Sequence, residues 1–368
     1  MSAQRAPLVL MMAGGTGGHV YPALAVARDL LDRGYRVEWV GTHRGLEARV
    51  VPSAGIPLHY LMVRGVRGKN PLWKMIALFY LFIATLQALW LVLRLAPQCV
   101  VGMGGYVAGP AGVAAWVLRK PLVIHEQNAV AGTTNRLLAP IASRVLAGFP
   151  GAFRGDVEFS VVGNPVRREL LERASVASYS YTAQRPLRLL VVGGSLGARP
   201  INELVPTAVT RVLSSEGKQS IEVWHQSGEA HFEAVSEAYG SQPGHEVKVA
   251  AFIEDMASAY AWADLVLCRA GALTVSELAI MGRPAILVPL PHAIDDHQTA
   301  NARSLADHGA GLLIRQSELS ADTLYEMLRG YLSNPGILVE MSKASSALGV
   351  PMATRMVGDC CEGLINDH

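Results

Sequence analysis

Leu8–His19 reads LVLMMAGGTGGH, and Leu187–Ala198 reads LRLLVVGGSLGA. Each is an apolar run that breaks into a glycine-rich turn and then a helix-like stretch. That pattern predicts a strand, a tight loop and a helix N-terminus, where unpaired backbone N–H groups and the helix dipole favour phosphate. Its recurrence about 180 residues apart predicts two nucleotide-type α/β domains facing each other.

The segments around the two turns keep the same rhythm. In the first half, strands are expected at Leu8–Ala13, Arg36–Gly41, Leu58–Val63, Cys99–Gly102, Leu122–His125 and Arg144–Ala147. Helical stretches lie between them, such as Tyr21–Arg33 closed by Gly34. In the second half, strands are expected at Leu187–Gly193, Ile221–Gln226, Val247–Ala251, Leu265–Cys268 and Ala285–Val288. Strands alternating with helices imply parallel, doubly wound sheets. Regularity lapses over Gly163–Gln184, which marks the crossing between domains, and the chain reads as helical from Ser320 onward. The expected division is residues 1–166, 167–350 and a C-terminal helix, 351–368, that packs back on the first domain.

Composition is consistent with this plan. At 368 residues and 51% apolar content, the chain has enough material for two cores. A net charge of +2 argues against a dedicated nucleic-acid binder. Cys99, Cys268, Cys360 and Cys361 show no C-x-x-C spacing, so neither a zinc site nor a disulfide framework is indicated, and a reducing cytoplasm fits. The apolar run near the N-terminus flows straight into the glycine turn, unlike a cleavable signal.

Met75–Leu93, MIALFYLFIATLQALWLVL, is an apolar stretch that would reach roughly 28 Å as a helix, close to the roughly 30 Å of bilayer hydrocarbon. Strands expected on both sides of it belong to one sheet, which argues against spanning. The remaining readings are a buried crossover helix and a helix lying in the membrane interface, flanked by Arg64, Arg67, Lys69, Lys74 and Arg94.

The glycine turns do not match the common nucleotide fingerprints. In Gly14–His19, Val20 stands where the third glycine of G-x-G-x-x-G would fall, and the second strand ends Val40-Gly41-Thr42 without an acidic residue. The Lys-Ser/Thr pair of a P-loop is also missing. A backbone cradle for phosphate or sugar remains, with His19 at a helix start as either a base for a bound hydroxyl or a packing residue. Gly193–Ala198 is the better diphosphate candidate, with Ser195 adding a hydroxyl; its bland alternative is an empty tight turn. A third cluster, Gly102-Met103-Gly104-Gly105-Tyr106, again follows a strand, and three clusters at strand ends imply a shared cleft. In Arg269–Glu277, RAGALTVSE, Thr274 and Glu277 fit an S/T-x-x-E capping box, while a carboxylate there would equally suit two ribose hydroxyls. Asp295-Asp296-His297-Gln298 with Asn301 places polar groups where a sugar would be held. There is no D-x-D pattern, and Asp156-Val157-Glu158 reads as loop charge, so no metal and no cofactor are expected. Helix N-termini would then stabilise a leaving diphosphate.

Together, GGTGGHVYPALAVA (Gly14–Ala27), GMGGYVAGP (Gly102–Pro110), HEQNAVAGTTN (His125–Asn135), VVGNPVR (Val161–Arg167), VVGGSLGAR (Val191–Arg199) and CRAGALTVSEL (Cys268–Leu278) resemble the MurG family of bacterial peptidoglycan glycosyltransferases. The resemblance implies a GT-B architecture of two Rossmann-like domains, with a membrane-facing acceptor domain first and a UDP-GlcNAc domain second. It implies transfer of N-acetylglucosamine from UDP-GlcNAc to undecaprenyl-linked lipid I, giving lipid II, at the cytoplasmic face of the inner membrane. Peptidoglycan synthesis, cell shape, cell division and contact with cell-wall synthesis proteins follow from the same resemblance. Carried over by motif, Thr16, Gly17, Gly18 and Asn128 line the cleft from the first domain and count among the UDP-GlcNAc-binding residues, as does Arg167 at the crossing. Ser195 meets the diphosphate and Ile253 the uracil. Ala272, Leu273, Thr274, Val275 and Ser276 form the loop around nucleotide and phosphates, Glu277 takes the ribose and Gln298 the donor sugar. His19 is the favoured base in a single inverting displacement by the C4 hydroxyl of the muramyl sugar. The rivals are another GT-B enzyme, such as a glycolipid transferase or a UDP-GlcNAc 2-epimerase, and a non-catalytic UDP-sugar sensor docked on the membrane.

Overall fold

The computed structural model describes residues 6–63, 71–176, 178–194, 196–217, 220–240 and 247–367, with the backbone alone for 71–77 and 294. The chain divides into two compact units, Met1–Arg167 with Pro351–His368, and Arg168–Val350.

In the first unit the strands are β1 (Leu8–Met12), β2 (Arg36–Gly41), β3 (Leu58–Tyr60), β4 (Cys99–Gly102), β5 (Leu122–Glu126), β6 (Arg144–Ala147) and β7 (Ser160–Val161). Helices α1 (Gly17–Asp32), α2 (Glu47–Ser53), α3 (Pro71–Leu95), α4 (Ala108–Val117) and α5 (Thr133–Leu138) connect them. Among the described residues the strands form one parallel sheet in the order β3-β2-β1-β4-β5-β6-β7. The near-continuous apolar run of β1 is what a strand covered on both faces requires. Val9 and Met11 pack with Val20, Leu24 and Ala27 of α1, while Leu10 and Met12 pack with Ala88 and Val92 of α3 and Ala111 of α4.

The second unit holds α6 (Arg168–Ala174), β8 (Leu187–Val192), α7 (Arg199–Glu216), β9 (Ile221–Gln226), α8 (Phe232–Ala238), β10 (Val247–Ala250), α9 (Met256–Trp262), β11 (Leu265–Cys268), α10 (Ala272–Met281) and β12 (Ala285–Leu287). It continues with α11 (His297–Ala306), β13 (Gly311–Leu313), α12 (Ala321–Ser333) and α13 (Gly336–Ala347). Its parallel sheet runs β10-β9-β8-β11-β12-β13. Both strand orders reverse direction beside the strand that carries a repeated glycine turn: between β1 and β4, and between β8 and β11. In doubly wound sheets the ligand sits outside the carboxyl ends of the strands at that reversal.

The last helix, α14 (Ala353–Asn366), packs on α1 in the first unit. Arg33 at the end of α1 reaches Asp359 (2.6 Å) and Glu362 (3.0 Å) on α14, and Gly358 leaves room for the Asp29 and Arg33 side chains.

Two expectations, for α1 and α3, need correcting, and two strands were not expected. Helix α1 begins at Gly17, four residues ahead of the expected Tyr21, which puts the whole Gly17–His19 segment in its first turn. The edge strands β7 and β13, of two and three residues, carry too little pattern to be read from sequence. Helix α3 links β3 to β4 in one parallel sheet and is therefore a crossover, but it is not buried all round. Ala84, Ala88, Leu91 and Val92 face the core, while Leu78, Phe79, Phe82, Leu86, Trp90 and Leu93 are exposed. Leu78–Leu95 is long and apolar enough to cross a membrane by composition alone. Of the basic flank, Arg64, Arg67 and Lys69 lie outside the described residues, as does the Lys74 side chain; Arg94 stacks over the Trp90 ring at 5.1 Å.

Candidate active site

In the first unit the site is built where β1 and β4 part. Thr16 caps α1 in an extended conformation, and its carbonyl accepts the N–H groups of His19 (3.1 Å) and Val20 (3.2 Å). Gly17, Gly18 and His19 thus form the first helical turn, whose leading N–H groups have no intrahelical acceptor. The His19 imidazole lies against Gly104 of the third glycine cluster, where a Cβ would fall 2.7 Å from its Cδ2. The sequence therefore needs glycine after β4 so that the histidine can lie there. Arg167 stands at the same end of α1, its guanidinium carbon 5.9 Å from the centre of the Tyr21 ring.

Asn128 belongs to the loop after β5, which hangs on the buried Glu126. The Glu126 carboxylate accepts the N–H (2.9 Å) and side-chain amide (3.1 Å) of Asn128, the N–H of Gly132 (2.9 Å) and the side-chain amide of Asn135 (2.8 Å). Beside it, burial pushes His125 down to about 4, so the ring is neutral at pH 7. Its Nε2–H donates to the Gly163 carbonyl (2.9 Å), and Nδ1 accepts from the Gln127 amide (3.2 Å). Much of the HEQNAVAGTTN motif is thus internal scaffolding, with Asn128 at its partly exposed edge.

In the second unit the turn after β8 opens on a cavity of about 930 Å³. Among its lining residues are Gly194, Leu196, Arg269, Thr274, Gln298 and Arg315. Ser195 lies outside the described residues. Thr274 and Gln298 are thereby brought to one cavity with the glycine turn, and the Gln298 side-chain carbonyl accepts the Leu290 N–H (3.0 Å). Ile253, Ala272, Leu273, Val275, Ser276 and Glu277 do not line it. Ile253 is nevertheless tied to the turn: the buried Gln226 accepts the Ile253 N–H (3.0 Å) and donates to the Gly194 carbonyl (3.1 Å).

The capping-box reading of Thr274 and Glu277 fails. Gly271, not Thr274, caps α10, which leaves Thr274 as its third residue and Glu277 in its second turn; Ala272 to Ser276, expected as a loop, are the first five residues of this helix. Glu277 is buried and accepts the Tyr260 hydroxyl at 3.1 Å. Asn301 is a fully buried brace whose amide donates to the Ala270 carbonyl (3.1 Å). Asp295 and Asp296 both sit at positive φ, and Asp296 accepts the Thr299 hydroxyl (2.7 Å).

Sequence reasoning missed Arg269 as a site residue. Its guanidinium spans the cavity wall, donating to the Val288 (3.1 Å) and Pro289 (3.2 Å) carbonyls and to the Gln316 side chain (2.6 Å). Burial lowers its pKa, yet a guanidinium starts so high that it stays cationic. Its place at the carboxyl end of β11, beside the strand-order reversal, was the available signal. With Arg199 and Arg315 it gives the lining a basic character suited to a diphosphate. Among the described residues, no group of three or more His, Cys, Asp or Glu side chains is placed to hold a metal ion.

Two doubly wound parallel sheets, one with a basic cavity at its glycine turn, define a protein of two Rossmann-like units with a candidate phosphate-binding site. Residues 9–147 match the glycosyltransferase family 28 N-terminal domain, and residues 188–355 the glycosyltransferase family 28 C-terminal domain. A UDP-N-acetylglucosamine--N-acetylmuramyl-(pentapeptide) pyrophosphoryl-undecaprenol N-acetylglucosamine transferase of Pseudomonas entomophila is 53% identical over 353 residues, covering 96% of each chain. The enzyme of the same name from Alkalilimnicola ehrlichii is 54% identical over 355 residues, covering 96% of this chain and 98% of its own. The crystal structure of Acinetobacter baumannii MurG superposes with a TM-score of 0.82 at 41% identity, covering 97% and 99%. The chain belongs to glycosyltransferase family 28, with its GT-B fold, in the branch of these MurG-type transferases.

Proposed function

We propose that this chain transfers N-acetylglucosamine from UDP-GlcNAc to the C4 hydroxyl of the muramyl sugar of undecaprenyl-diphosphate-linked lipid I, giving lipid II for peptidoglycan. The carrying observation is likeness above 50% identity that runs through both units and nearly the full length of each relative. In this reading the turn Gly193–Ala198, the N-terminus of α7, Arg269 and Arg315 receive the donor diphosphate. Ser195 adds its hydroxyl there, Ile253 meets the uracil, Ala272 to Ser276 face nucleotide and phosphates, Glu277 binds the ribose, and Gln298 binds the sugar. Thr16, Gly17, Gly18, Asn128 and Arg167 supply the first unit's contacts to UDP-GlcNAc.

The reaction is a single inverting displacement. The acceptor oxygen attacks C1 as the bond to the UDP oxygen breaks, and His19 takes the hydroxyl proton, a role worth roughly 10² to 10⁴ in rate. Charge gathering on the leaving diphosphate is met by preorganised donors, the helix N-terminus and the guanidinium groups. The exposed apolar face of α3 docks the protein as a peripheral component on the cytoplasmic face of the membrane that carries lipid I.

The test supplies purified protein with UDP-[¹⁴C]GlcNAc, with and without lipid I. Label should enter the lipid fraction with equimolar UDP release only when lipid I is present. Label recovered as an isomerised UDP-sugar, or donor bound without turnover in the presence of lipid I, refutes this reading in favour of an epimerase or a sensor.

A further inference from the structure

The turn after β1 rests on a carboxylate from elsewhere in the chain. Glu47, the first residue of α2, is 0% exposed. Its Oε2 accepts the Gly15 N–H (2.9 Å), and its Oε1 accepts both the N–H (2.9 Å) and the hydroxyl (2.8 Å) of Thr42. The sequence makes room for it with three glycines: a Cβ at Gly45, Gly41 or Gly14 would lie 2.0, 2.6 or 2.7 Å from the Glu47 side chain. Gly15 itself sits at φ +94°, and its carbonyl receives the Leu46 N–H (3.4 Å). The segment around Glu47 therefore grips the turn from both sides of the Gly15 peptide.

In a nucleotide-binding turn, backbone N–H groups at this point face a ligand phosphate. Here the Gly15 N–H is already committed. We propose that Glu47 is a positioning residue that takes the part a phosphate plays elsewhere, holding the Gly14–Gly15 turn in its working shape before substrate arrives. The inference rests on the reading of the first unit as the acceptor half. The effect passes to His19 by two routes. Gly15 adjoins Thr16, the cap of α1, three residues before His19. The Gly14 carbonyl also abuts Gly105, where a Cβ would fall 2.4 Å from it, and Gly104 is the residue that His19 lies against. Being fully buried, Glu47 acts on the turn rather than on a substrate.

The test uses the full-length chain with Glu47→Gln. An amide has one acceptor oxygen, so its NH₂ faces either the Gly15 N–H or the Thr42 donors, and the turn loosens while volume is kept. Acceptor kcat/KM should fall about 10- to 100-fold, with the Kd for UDP, whose contacts are all assigned to the second unit, and its binding stoichiometry within twofold of wild type. A general loss of structure would instead lower stoichiometry and turnover together. Thr42→Ala, which removes one of the three hydrogen bonds to Glu47 together with the Gly45 N–H contact to the Thr42 hydroxyl (3.2 Å), should lower acceptor kcat/KM about two- to fivefold with the same split, and it decides the matter if Glu47→Gln does not fold. Amide hydrogen exchange over residues 13–20 reads the turn independently of turnover, and should quicken at least tenfold in Glu47→Gln while the second unit is unchanged. Wild-type acceptor kinetics together with wild-type exchange in a folded Glu47→Gln protein overturn the inference. Quickened exchange in a chain whose wild type transfers no sugar overturns the proposed reaction and leaves the turn-holding role standing.

Discussion

Replacing Phe79 and Phe82 on α3 by serine should detach the protein from membranes without unfolding it. The two side chains are 62% and 59% exposed, so little core contact is lost. Full burial of a phenylalanine is worth roughly 1.5–3 kcal/mol, which leaves about 1–2 kcal/mol per ring to be gained on entering the interface. The double variant should therefore lose about 2–4 kcal/mol, or roughly 30- to 1,000-fold in vesicle partitioning. Co-sedimentation with vesicles containing anionic lipid measures this directly, and turnover of lipid I in vesicles should fall with it while turnover in detergent is kept. The Kd for UDP-GlcNAc should not move, because none of the residues assigned to the donor lies on α3. Partitioning within threefold of wild type, with donor binding intact, would refute the assignment of α3 as the docking face. Salt sensitivity adds a check, since attraction of basic groups to anionic lipid is screened within about 10 Å at 0.1 M.

Further outcomes follow from single residues. His19→Ala should lower kcat by about 10² to 10⁴ with the donor Kd nearly unchanged, and near-normal turnover at saturating acceptor would remove His19 as the base. Glu277→Ala should weaken UDP-GlcNAc about 10- to 150-fold, the range of hydrogen bonds to a charged group, whereas Tyr260→Phe, which removes only the 3.1 Å contact to Glu277, should do much less; equal donor Kd values in all three proteins would sink the ribose assignment. Acid should destabilise both units, because burial holds His125 and His225 at about 4, below the ordinary 6.5. The unfolded chain binds more protons than the folded one between these values, so stability is complete above about pH 6.5 and is lost as pH falls towards 4. At pH 5 the cost is about 2 kcal/mol per histidine, and urea midpoints that do not change between pH 7 and pH 5 would contradict it.

What the sequence disclosed and what it hid divide along a physical line. An apolar run ending in glycines is a local property, and it located both β1 and β8 with the helices that follow them. The edge strands β7 and β13 are so short that no periodicity develops, and they exist because a neighbouring strand offers them a ladder. The S/T-x-x-E pattern at Thr274 misled for the same reason in reverse: a local pattern was present, but the chain leaves β11 at Cys268 and turns into α10 at Gly271, so the helix begins before the threonine.

The residues that hold the site in shape were the least legible of all. Glu47 and Gly15 are 32 positions apart, as are Gln226 and Gly194, and Arg269 and Gln316 are 47 apart. Each acts on main-chain or side-chain atoms that only the folded sheet brings within reach, so no spacing rule could pair them. This corrects the symmetry with which the two glycine turns first present themselves. The turn after β8 borders an open basic cavity, as a turn awaiting a diphosphate should. The turn after β1 has a carboxylate seated beneath it, which would repel a phosphate placed against the same N–H. Similar sequences thus fold into turns with opposite electrostatic requirements, and the difference lies in Glu47, outside either repeat. Exchanging the roles of the two turns would demand a positive or neutral group at position 47, so a chain with the same glycines and no buried acid there should be read as binding phosphate at both ends.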